Sequence, residues 1–398
     1  MGRNLTTSAS SSIAFLAARC LLLLVVSAAT GCAFRGPRAT AERPTLGMLR
    51  LLGAAAYPAG ALTVPGGPPV GDLSGLAFDR VTGTWLGASD DTAQPRLVWM
   101  TVTFGPTLAM TPTRFMFLHP TVALPAATMA GLEPESLVAL PDGTFATTLE
   151  GYHDAVGVVH QPAVMFVNRD GEVTAAAQPP AHFTITAGDW SHGVRHNLGL
   201  ESLTRTPDGR LISGLEQPLA QDGPMSSLTA GGVVRLLEFV ARPSGTWTPG
   251  REWAYRLEPT TQVAGYGPPC VDGENGLSEM LALTDDRWLT LERACLLGAP
   301  GTPAYNTVRV FEVTTADAED VSGLPSLAGH SPRLVTKRLV LDVDTLIPRL
   351  PPLLVTGSNF EALAFGPPGP AGERTVILMS DDNFRATQTT ALLWLALP

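Results

Sequence analysis

Five copies of one short motif constrain the fold of this 398-residue chain more than any other feature. Each copy has an apolar residue, a polar anchor position, a third residue and a second apolar residue: Leu73-Ser74-Gly75-Leu76, Pro134-Glu135-Ser136-Leu137, Leu200-Glu201-Ser202-Leu203, Leu277-Ser278-Glu279-Met280 and Phe360-Glu361-Ala362-Leu363. Each motif begins an alternating run that is followed by a turn and a second apolar run, which predicts a β-hairpin. A hairpin that recurs five times predicts a modular β fold.

The turns and a recurring acid place all five copies in a common register. Three turns carry Asp or Asp-Gly, which favour tight hairpin conformations: Pro141-Asp142-Gly143, Pro207-Asp208-Gly209 and Thr284-Asp285-Asp286. An acid ends the second run of every copy, 16, 15, 15, 14 and 20 residues after the anchor: Asp90, Glu150, Glu216, Glu292 and Asp381. The fifth interval is longer because it contains an insertion at 367–374.

The rest of each repeat predicts an all-β propeller. A second strand pair follows the hairpins, such as 163–167 with 172–177, and four strands per repeat is typical of a propeller blade. We predict one domain, 46–398, with five blades. A sixth blade within 197–270 or 295–352 is one alternative, and a β-sandwich is the other. The chain ends in an unpaired third strand, so the N-terminal strand is predicted to close the last blade.

Composition excludes several classes of protein. Hydrophobic residues make up 45% of the chain and charged residues only 16%, so neither a disordered chain nor a long coiled coil is expected. The formal net charge is −10, which disfavours nucleic-acid binding. We expect a monomer.

Residues 1–31 have the pattern of a bacterial signal peptide. A basic, Ser/Thr-rich stretch precedes the apolar run 20–29, which is too short to span a bilayer as a helix. Ala29-Thr30-Gly31-Cys32 is similar to a lipobox, which predicts lipidation of Cys32 and a tether at 32–45. The protein would then be an outer-membrane-anchored lipoprotein facing the periplasm or cell surface, with the lipid as its only membrane contact. The alternative is an ordinary signal peptide with Cys32 incidental and a periplasmic or secreted product.

Two further cysteines, Cys270 and Cys295, lie in the predicted domain. They flank the fourth hairpin at the same end, and an exported protein meets an oxidising environment. We predict a disulfide between them, with two free buried thiols as the alternative.

The propeller geometry predicts an acidic mouth. The start of each first strand and the end of each second strand lie at the same end of a blade, so eight carboxylates would converge as metal ligands: Asp90, Glu135, Glu150, Glu201, Glu216, Glu292, Glu361 and Asp381. Ser74 and Ser278 take the other two anchor positions. So many acids repel each other unless a cation compensates, and Ca²⁺ is the simplest choice because it prefers oxygen ligands. The alternative is a structural role, in which the carboxylates bond backbone N–H groups.

Other polar residues extend this mouth. Ser380-Asp381-Asp382-Asn383-Phe384 clusters acids at one blade end, and we predict catalytic roles for Glu201, Glu361, Asp381 and Asp382. Candidate ligand-binding residues are Asn197, Arg293, Asn383 and Arg385. The alternative for the two arginines is a role as ordinary salt-bridge partners of the acids. Loop histidines His153, His192 and His196 should face the same mouth. Gly-x-Ser-x-Gly, His-Glu-x-x-His and Cys-x-x-Cys signatures do not occur in the sequence.

The motif set resembles a known family. Asp72-Leu73-Ser74-Gly75-Leu76, Asn197-Leu198-Gly199-Leu200-Glu201-Ser202-Leu203, Leu289-Thr290-Leu291-Glu292-Arg293, Asn359-Phe360-Glu361-Ala362-Leu363 and Ser380-Asp381-Asp382-Asn383-Phe384 are similar to the phytase-like family described as having esterase-like activity. The resemblance covers about residues 70–387 and implies a bacterial, exported β-propeller that hydrolyses phosphate or carboxylic esters. It also implies that the partner is a small-molecule ester or phosphate-bearing ligand. Propeller phytases hold phosphate with calcium, lysines and arginines, whereas the single lysine here, Lys337, is expected far from the motifs.

Two functions of different classes follow. The first is a metal-assisted hydrolase in which Ca²⁺ polarises the ester and orients water while a carboxylate acts as base. The second is a non-catalytic lipoprotein that binds a ligand or partner at the same mouth, because a fold does not fix a function.

Overall fold

The computed structural model describes residues 46–121, 132–270, 275–300, 302–354 and 358–398. The predicted signal peptide, Cys32 and the tether lie outside the described residues. Leu46–Pro398 form one compact unit built almost entirely of strands. Helical structure in the described part is limited to three short 3₁₀ segments, Ala181–Phe183, Val343–Arg349 and Pro352–Leu354. None of the described helices is long and apolar enough to cross a membrane.

The strands form five four-stranded antiparallel blades, and the first two blades occupy the N-terminal half. The described part begins with β1 (Arg50–Pro58) and the small hairpin of β2 (Leu62–Thr63) and β3 (Pro69–Val70). Blade 1 consists of β4 (Leu73–Asp79), β5 (Thr84–Ser89), β6 (Arg96–Thr103) and β7 (Ala109–Phe117). Blade 2 has β8 (His119–Pro120) on its outer edge and consists of β9 (Pro134–Ala139), β10 (Phe145–Leu149), β13 (Ala163–Val167) and β14 (Glu172–Ala177). Between β10 and β13 stands a hairpin of β11 (Tyr152–His153) and β12 (Val159–His160).

The C-terminal half contributes the other three blades. Blade 3 consists of β15 (Leu200–Arg205), β16 (Leu211–Leu215), β17 (Val233–Ala241) and β18 (Trp247–Arg256). Blade 4 consists of β19 (Gly276–Ala282), β20 (Arg287–Leu296), β21 (Tyr305–Thr314) and β22 (Thr336–Asp342). Blade 5 consists of β23 (Asn359–Phe365), β24 (Thr375–Asp381), β25 (Thr389–Ala396) and, from the other end of the chain, β1.

The prediction of five blades closed by the N-terminal strand is confirmed. β1 pairs antiparallel with β25, from Arg50 opposite Ala396 to Pro58 opposite Thr389. The stretches that could have held a sixth blade belong to blades 3 and 4 and their connections. Closure by β1 covers the edge of β25, which would otherwise offer unpaired backbone groups.

The predicted Asp-Gly turns connect the inner hairpins as expected. Gly143 has φ 86° and Gly209 has φ 97°, conformations that favour glycine. In the blade 2 turn, Asp142 Oδ1 accepts a hydrogen bond of 3.0 Å from the N–H of Thr144. These turns fix the hairpin length and hence the register of the residues at the other end.

Apolar side chains fill the spaces between blades. All eight residues of β25 are buried, and Trp253 of blade 3 meets Trp288 of blade 4 edge to face with ring centroids 5.6 Å apart. The inner strands β4, β9, β15, β19 and β23 contact one another around the ring. At Gly75 the approach is so close that a Cβ would lie 2.8 Å from the backbone of Leu137, so a side chain there would separate two blades.

Candidate functional site

A β-bulge at the motif of each blade shapes one mouth of the propeller. The hairpin register shifts between Leu73 and Gly75, Leu200 and Ser202, Leu277 and Glu279, and Phe360 and Ala362, and in blade 2 opposite the Pro134–Leu137 segment. A bulge leaves one residue out of the ladder and redirects its side chain. In four blades the residue left out is the anchor: Ser74, Glu201, Ser278 and Glu361.

The strand register places four of the five predicted second-strand acids at equivalent positions. Asp381 lies opposite Asn359, the N–H of Asp90 bonds the carbonyl of Asp72, and the N–H of Glu216 bonds the carbonyl of Gly199. Glu150 follows Leu149, which lies opposite Pro134. Each acid is therefore level with the residue that precedes its motif.

Blade 4 departs from this pattern and corrects the expectation for Glu292. Glu292 lies opposite Leu277, whereas Arg293 lies opposite Gly276 and takes the position of the acids. The equivalent residue of blade 4 is therefore an arginine. We remove Glu292 from the predicted set of metal ligands on this ground.

The Glu292 carboxylate is fully engaged elsewhere. It accepts hydrogen bonds from the Tyr255 hydroxyl, from Asn275 Nδ2 at 2.6 Å and from the N–H of Glu258 at 2.9 Å, and it forms an ion pair of 2.6 Å with Lys337. The single lysine therefore contacts a motif residue, contrary to the expectation that it lies far from the motifs. It neutralises Glu292 between blades 3 and 4.

Arg293 is the cation of the mouth. Its Nη2 lies 3.3 Å from Glu216 Oε1 and 3.1 Å from Glu361 Oε1, and its Nε donates to Ser278 Oγ at 3.4 Å. The guanidinium thus joins carboxylates of blades 3 and 5 from its place in blade 4. Burial alone would lower the pKa of Arg293, but the surrounding carboxylates, Glu361 foremost, outweigh it and raise that pKa.

Three glutamates form a compact acid triad next to this arginine. One carboxylate oxygen from each of Glu150, Glu201 and Glu216 lies within 4.8 Å of the other two, so the triad could hold a metal ion. Glu150 and Glu216 are buried and Glu201 is half-buried. Burial and then the neighbouring carboxylates raise the pKa of Glu150 and of Glu201 well above the usual range.

A second acid group lies between blades 5 and 1. Glu361 accepts a hydrogen bond of 2.8 Å from Asn359 Nδ2, and Asp381 Oδ1 accepts from the N–H groups of Leu73 at 3.0 Å and Asn383 at 2.9 Å. Asp90 is half-buried. Its Oδ1 is buried and has no hydrogen-bond partner among the described residues. Burial raises the pKa of Asp90 well above its usual range, and the Asp381 carboxylate raises it further.

Sequence reasoning missed two acids of the mouth, Asp72 and Glu133. Each immediately precedes the motif of its blade, and each has a raised pKa because of burial; that of Asp72 is about 6. Asp72 hydrogen-bonds Asp90, so the two carboxyl groups act as a pair. The signal in the sequence was their position, because the residue before the motif lies opposite the recurring acid.

Glu135 and Glu279 lie deeper in the ring. Burial raises the pKa of Glu135 well above its usual range, with Asp90, Glu150 and Glu361 adding to the effect. Glu279 of blade 4 accepts hydrogen bonds from Ser136 Oγ of blade 2 at 2.7 Å and from the N–H of Leu203 of blade 3 at 3.1 Å. Its side chain therefore ties three inner strands together beside the anchors.

The predicted residues of the 380–385 loop have mainly structural contacts. Asp382 is fully buried and accepts hydrogen bonds from the N–H groups of Asp72 and Phe384 and from Thr390 Oγ1. These hydrogen bonds stabilise the loop. Asp382 therefore has structural contacts and not the catalytic role predicted for it. Arg385 is exposed beside it, and Asn197 is exposed in the loop that precedes β15.

Backbone strain is concentrated at this mouth. Four described residues other than glycine have positive φ: Asp72 at 54°, Asn197 at 52°, Asn383 at 46° and Phe384 at 48°. All four belong to segments that bear the acids. Such conformations cost free energy, least for Asn and Asp, and cluster at functional sites in proteins. The strain thus marks the mouth independently of its charge.

The family match agrees with these motifs. A family model described as phytase-like, with esterase-like activity of phytase, matches residues 68–384. This chain belongs to the phytase-like family. The matched residues of this phytase-like protein run from the start of β3 to the strained Phe384 and include all five motifs. A comparison with curated protein sequences finds no match.

Two solved structures are weakly similar to this chain. An endo-arabinase from Bacteroides thetaiotaomicron VPI-5482 is 9% identical with a TM-score of 0.43, over 86% of this chain and 96% of the enzyme. A GH43 β-1,3-galactosidase solved with galactodeoxynojirimycin is 10% identical with a TM-score of 0.42, over 85% of this chain and 94% of that one. With TM-scores below 0.5, these similarities support no conclusion about the fold or about the role of any residue.

Proposed function

We propose that this phytase-like protein is an exported, calcium-dependent hydrolase of phosphate or carboxylic esters that acts at the acidic mouth. Membership of the family and the propeller fold support a hydrolase-type propeller. The observation that carries the proposal is the acid triad, whose three carboxylate oxygens converge within 4.8 Å. Carboxylate oxygens in such a cluster are the ligands that Ca²⁺ prefers.

The charge balance of the mouth fits a bound cation. Arg293 lies among the acids of the mouth and carries a positive charge. The mouth contains nine carboxylic acids: Asp72, Asp90, Glu133, Glu135, Glu150, Glu201, Glu216, Glu361 and Asp381. The buried Oδ1 of Asp90 has no partner within the described residues, as expected for an atom reserved for a ligand or ion. Burial, and then mutual repulsion, raises the pKa values of these acids, and a divalent ion would offset both effects.

The chain's own residues suggest how hydrolysis would proceed. Bound calcium would polarise the ester and lower the cost of activating water. Arg293, fixed by Glu216 and Glu361, would donate to an anionic oxygen of the substrate through its remaining N–H groups. The Asp72–Asp90 pair would supply the base, because a carboxyl group with a pKa of about 6 is poised to exchange protons near neutral pH.

These roles modify the catalytic set expected from the sequence. Of the two roles predicted for Glu201, it keeps that of metal ligand. Glu361 positions Arg293, and Asp381 accepts hydrogen bonds from the N–H groups of Leu73 and Asn383. Export remains part of the proposal and rests on the N-terminal pattern. The Cys270–Cys295 disulfide supports it, because such bonds persist in oxidising compartments.

The test combines turnover with calcium-linked stability. p-Nitrophenyl phosphate and p-nitrophenyl acetate are assayed with Ca²⁺ and with chelator, for the wild type and the double variant Glu150→Gln with Glu201→Gln. At a calcium concentration of 100 times Kd, binding should stabilise the wild type by about 2.7 kcal/mol. The double variant should lose this stabilisation and turnover together. Glu373→Gln, which removes the partner of Arg50 outside the mouth, is the control and should retain both.

Other outcomes separate the alternatives. Equal turnover in calcium and chelator would contradict the role of the metal. Calcium-dependent stabilisation of the wild type without turnover of either ester would favour the non-catalytic, ligand-binding propeller.

A further inference from the structure

A second polar cluster lies beside the acidic mouth and consists of imidazoles. The β11–β12 hairpin carries His153 and His160, and the loop before β15 carries His196. The ring centroids of His153 and His196 are 6.1 Å apart, while Tyr152 separates His196 from His160 at 4.5 and 5.4 Å. The structure therefore pairs two of the three histidines predicted from the sequence, and it adds His160, which the sequence did not single out.

Four of the six ring nitrogens of this cluster have no hydrogen-bond partner among the described residues. His153 is only 2% exposed, and neither its Nδ1 nor its Nε2 has a hydrogen-bond partner among the described residues. The same holds in the described part of the chain for the buried Nδ1 atoms of His160 and His196. A buried polar atom without a partner is unfavourable, so these nitrogens require an occupant such as water or an ion.

The surroundings favour a cation as that occupant. His153 follows Glu150 of the triad by three residues, and the N–H of Gly199, three residues after His196, donates to Glu150 Oε1 at 3.3 Å. Glu133 is close enough to His196 for an electrostatic interaction. The negative potential of the mouth attracts positive ions to both sites.

We propose that His153 and His196 bind a divalent transition-metal ion, Zn²⁺ foremost, at a site separate from the acid triad. Imidazole nitrogen suits zinc, copper and nickel, whereas calcium takes oxygen ligands. With Zn–N distances of about 2.0–2.1 Å, two imidazoles on one tetrahedral zinc have centroids about 5 Å apart. The observed 6.1 Å is within about 1 Å of that arrangement.

The imidazole pair lies close to the protein surface. Trp190 lies against His153 with ring centroids 4.0 Å apart and is 52% exposed, so the imidazole lies just below the surface. Water would complete the coordination, since zinc sites that keep an open position use it in this way. The imidazole site would thus add a softer metal to the mouth proposed to hold calcium.

The experiment titrates Zn²⁺ into the full protein by calorimetry. The wild type should bind one zinc ion, and His153→Gln and His196→Gln should each weaken binding at least tenfold. His330→Gln, in an exposed loop, is the matched control and should bind like the wild type. Unchanged affinity in both imidazole variants, or no binding by the wild type, would overturn the proposal and leave water as the occupant.

Two further measurements keep the result independent of the acid triad and of folding. The Glu150→Gln, Glu201→Gln variant should retain its zinc affinity even if it no longer binds calcium. Loss of zinc binding in that variant would show that zinc binds at the acid triad, and it would overturn the proposal. Electron paramagnetic resonance of Cu²⁺ bound to the wild type should show splitting from two imidazole nitrogens. A spectrum with oxygen ligands alone would contradict the site even if His153→Gln failed to fold.

Discussion

Replacing Arg293 by methionine is the most direct test of charge compensation in the mouth. The substitution keeps much of the side-chain volume but leaves Glu216 and Glu361 without their cation. These side chains are 14%, 4% and 16% exposed, so solvent screens them little. Removing one partner of a buried ion pair costs about 3–5 kcal/mol at neutral pH.

The corresponding change in melting temperature follows from the size of the unit. With an unfolding entropy of about 2.1 cal/mol/K per residue, the roughly 350 residues of Leu46–Pro398 give about 0.7 kcal/mol/K. A loss of 3–5 kcal/mol then lowers Tm by about 4–7 °C. Differential scanning calorimetry at pH 7.5 in chelator measures this shift.

The pH dependence identifies the cause. The pKa of Glu361 is raised in the folded protein, chiefly by burial, so its charged form destabilises the fold above that pKa. Without Arg293 the pKa rises further. The deficit of Arg293→Met should therefore be full at pH 7.5 and shrink as the pH falls towards 5, where the folded state takes up the proton.

Calcium should reduce the same deficit, because a bound cation replaces part of the lost charge. Arg287→Met is the control in the same blade, since Arg287 pairs with Glu312 away from the mouth. Its loss of stability should not respond to calcium. A Tm decrease of Arg293→Met that is equal at both pH values and with or without calcium would refute charge compensation and leave packing as its cause.

Three other predictions use separate assays. Asp72→Asn introduces a residue that also tolerates the φ of 54°, and it removes an acid with a pKa of about 6. In calorimetry the variant should be more stable than the wild type at pH 7.5 and equally stable near pH 4. A difference in stability that does not change with pH would contradict this. Cys32→Ala should move the protein from the membrane to the soluble periplasmic fraction on fractionation, and unchanged partitioning would argue against lipidation. The Cys270–Cys295 disulfide joins residues that are 25 positions apart, and its reduction should lower the free energy of unfolding by about 3 kcal/mol in denaturant titrations. Two free thiols in unfolded, unreduced protein would show that the bridge does not form.

The blades could be predicted from sequence because their signals are local. Asp-Gly turns, alternating apolar residues and an unpaired strand at each end specify hairpins and closure without knowledge of distant contacts. The register of the mouth was harder, because it depends on the bulges. Arg293 lies 15 residues after its anchor, the interval found in blades 2 and 3, but the expectation of an acid in every repeat selected Glu292 instead.

The remaining differences arise from side-chain contacts between residues that are distant in the sequence. In the sequence Asp382 looks like part of an exposed acidic cluster. In the structure its Oδ1 accepts a hydrogen bond from the backbone N–H of Asp72 in blade 1. Lys337 is 45 residues from Glu292 along the chain and reaches it only because β22 and β20 belong to one blade. Pairings of this kind depend on the packing of complete blades and have no signature in the local sequence.

Closure of blade 5 by β1 has a consequence for the order of folding. The pair joins Arg50 to Ala396, so the ring cannot close until the last strand of the chain is present. Blades 1 to 4 are contiguous in sequence and can form as the chain emerges, whereas blade 5 forms last through contacts of very long sequence separation. A chain that crosses a membrane before folding would meet this requirement, because both of its ends arrive in the same compartment before the ring is completed.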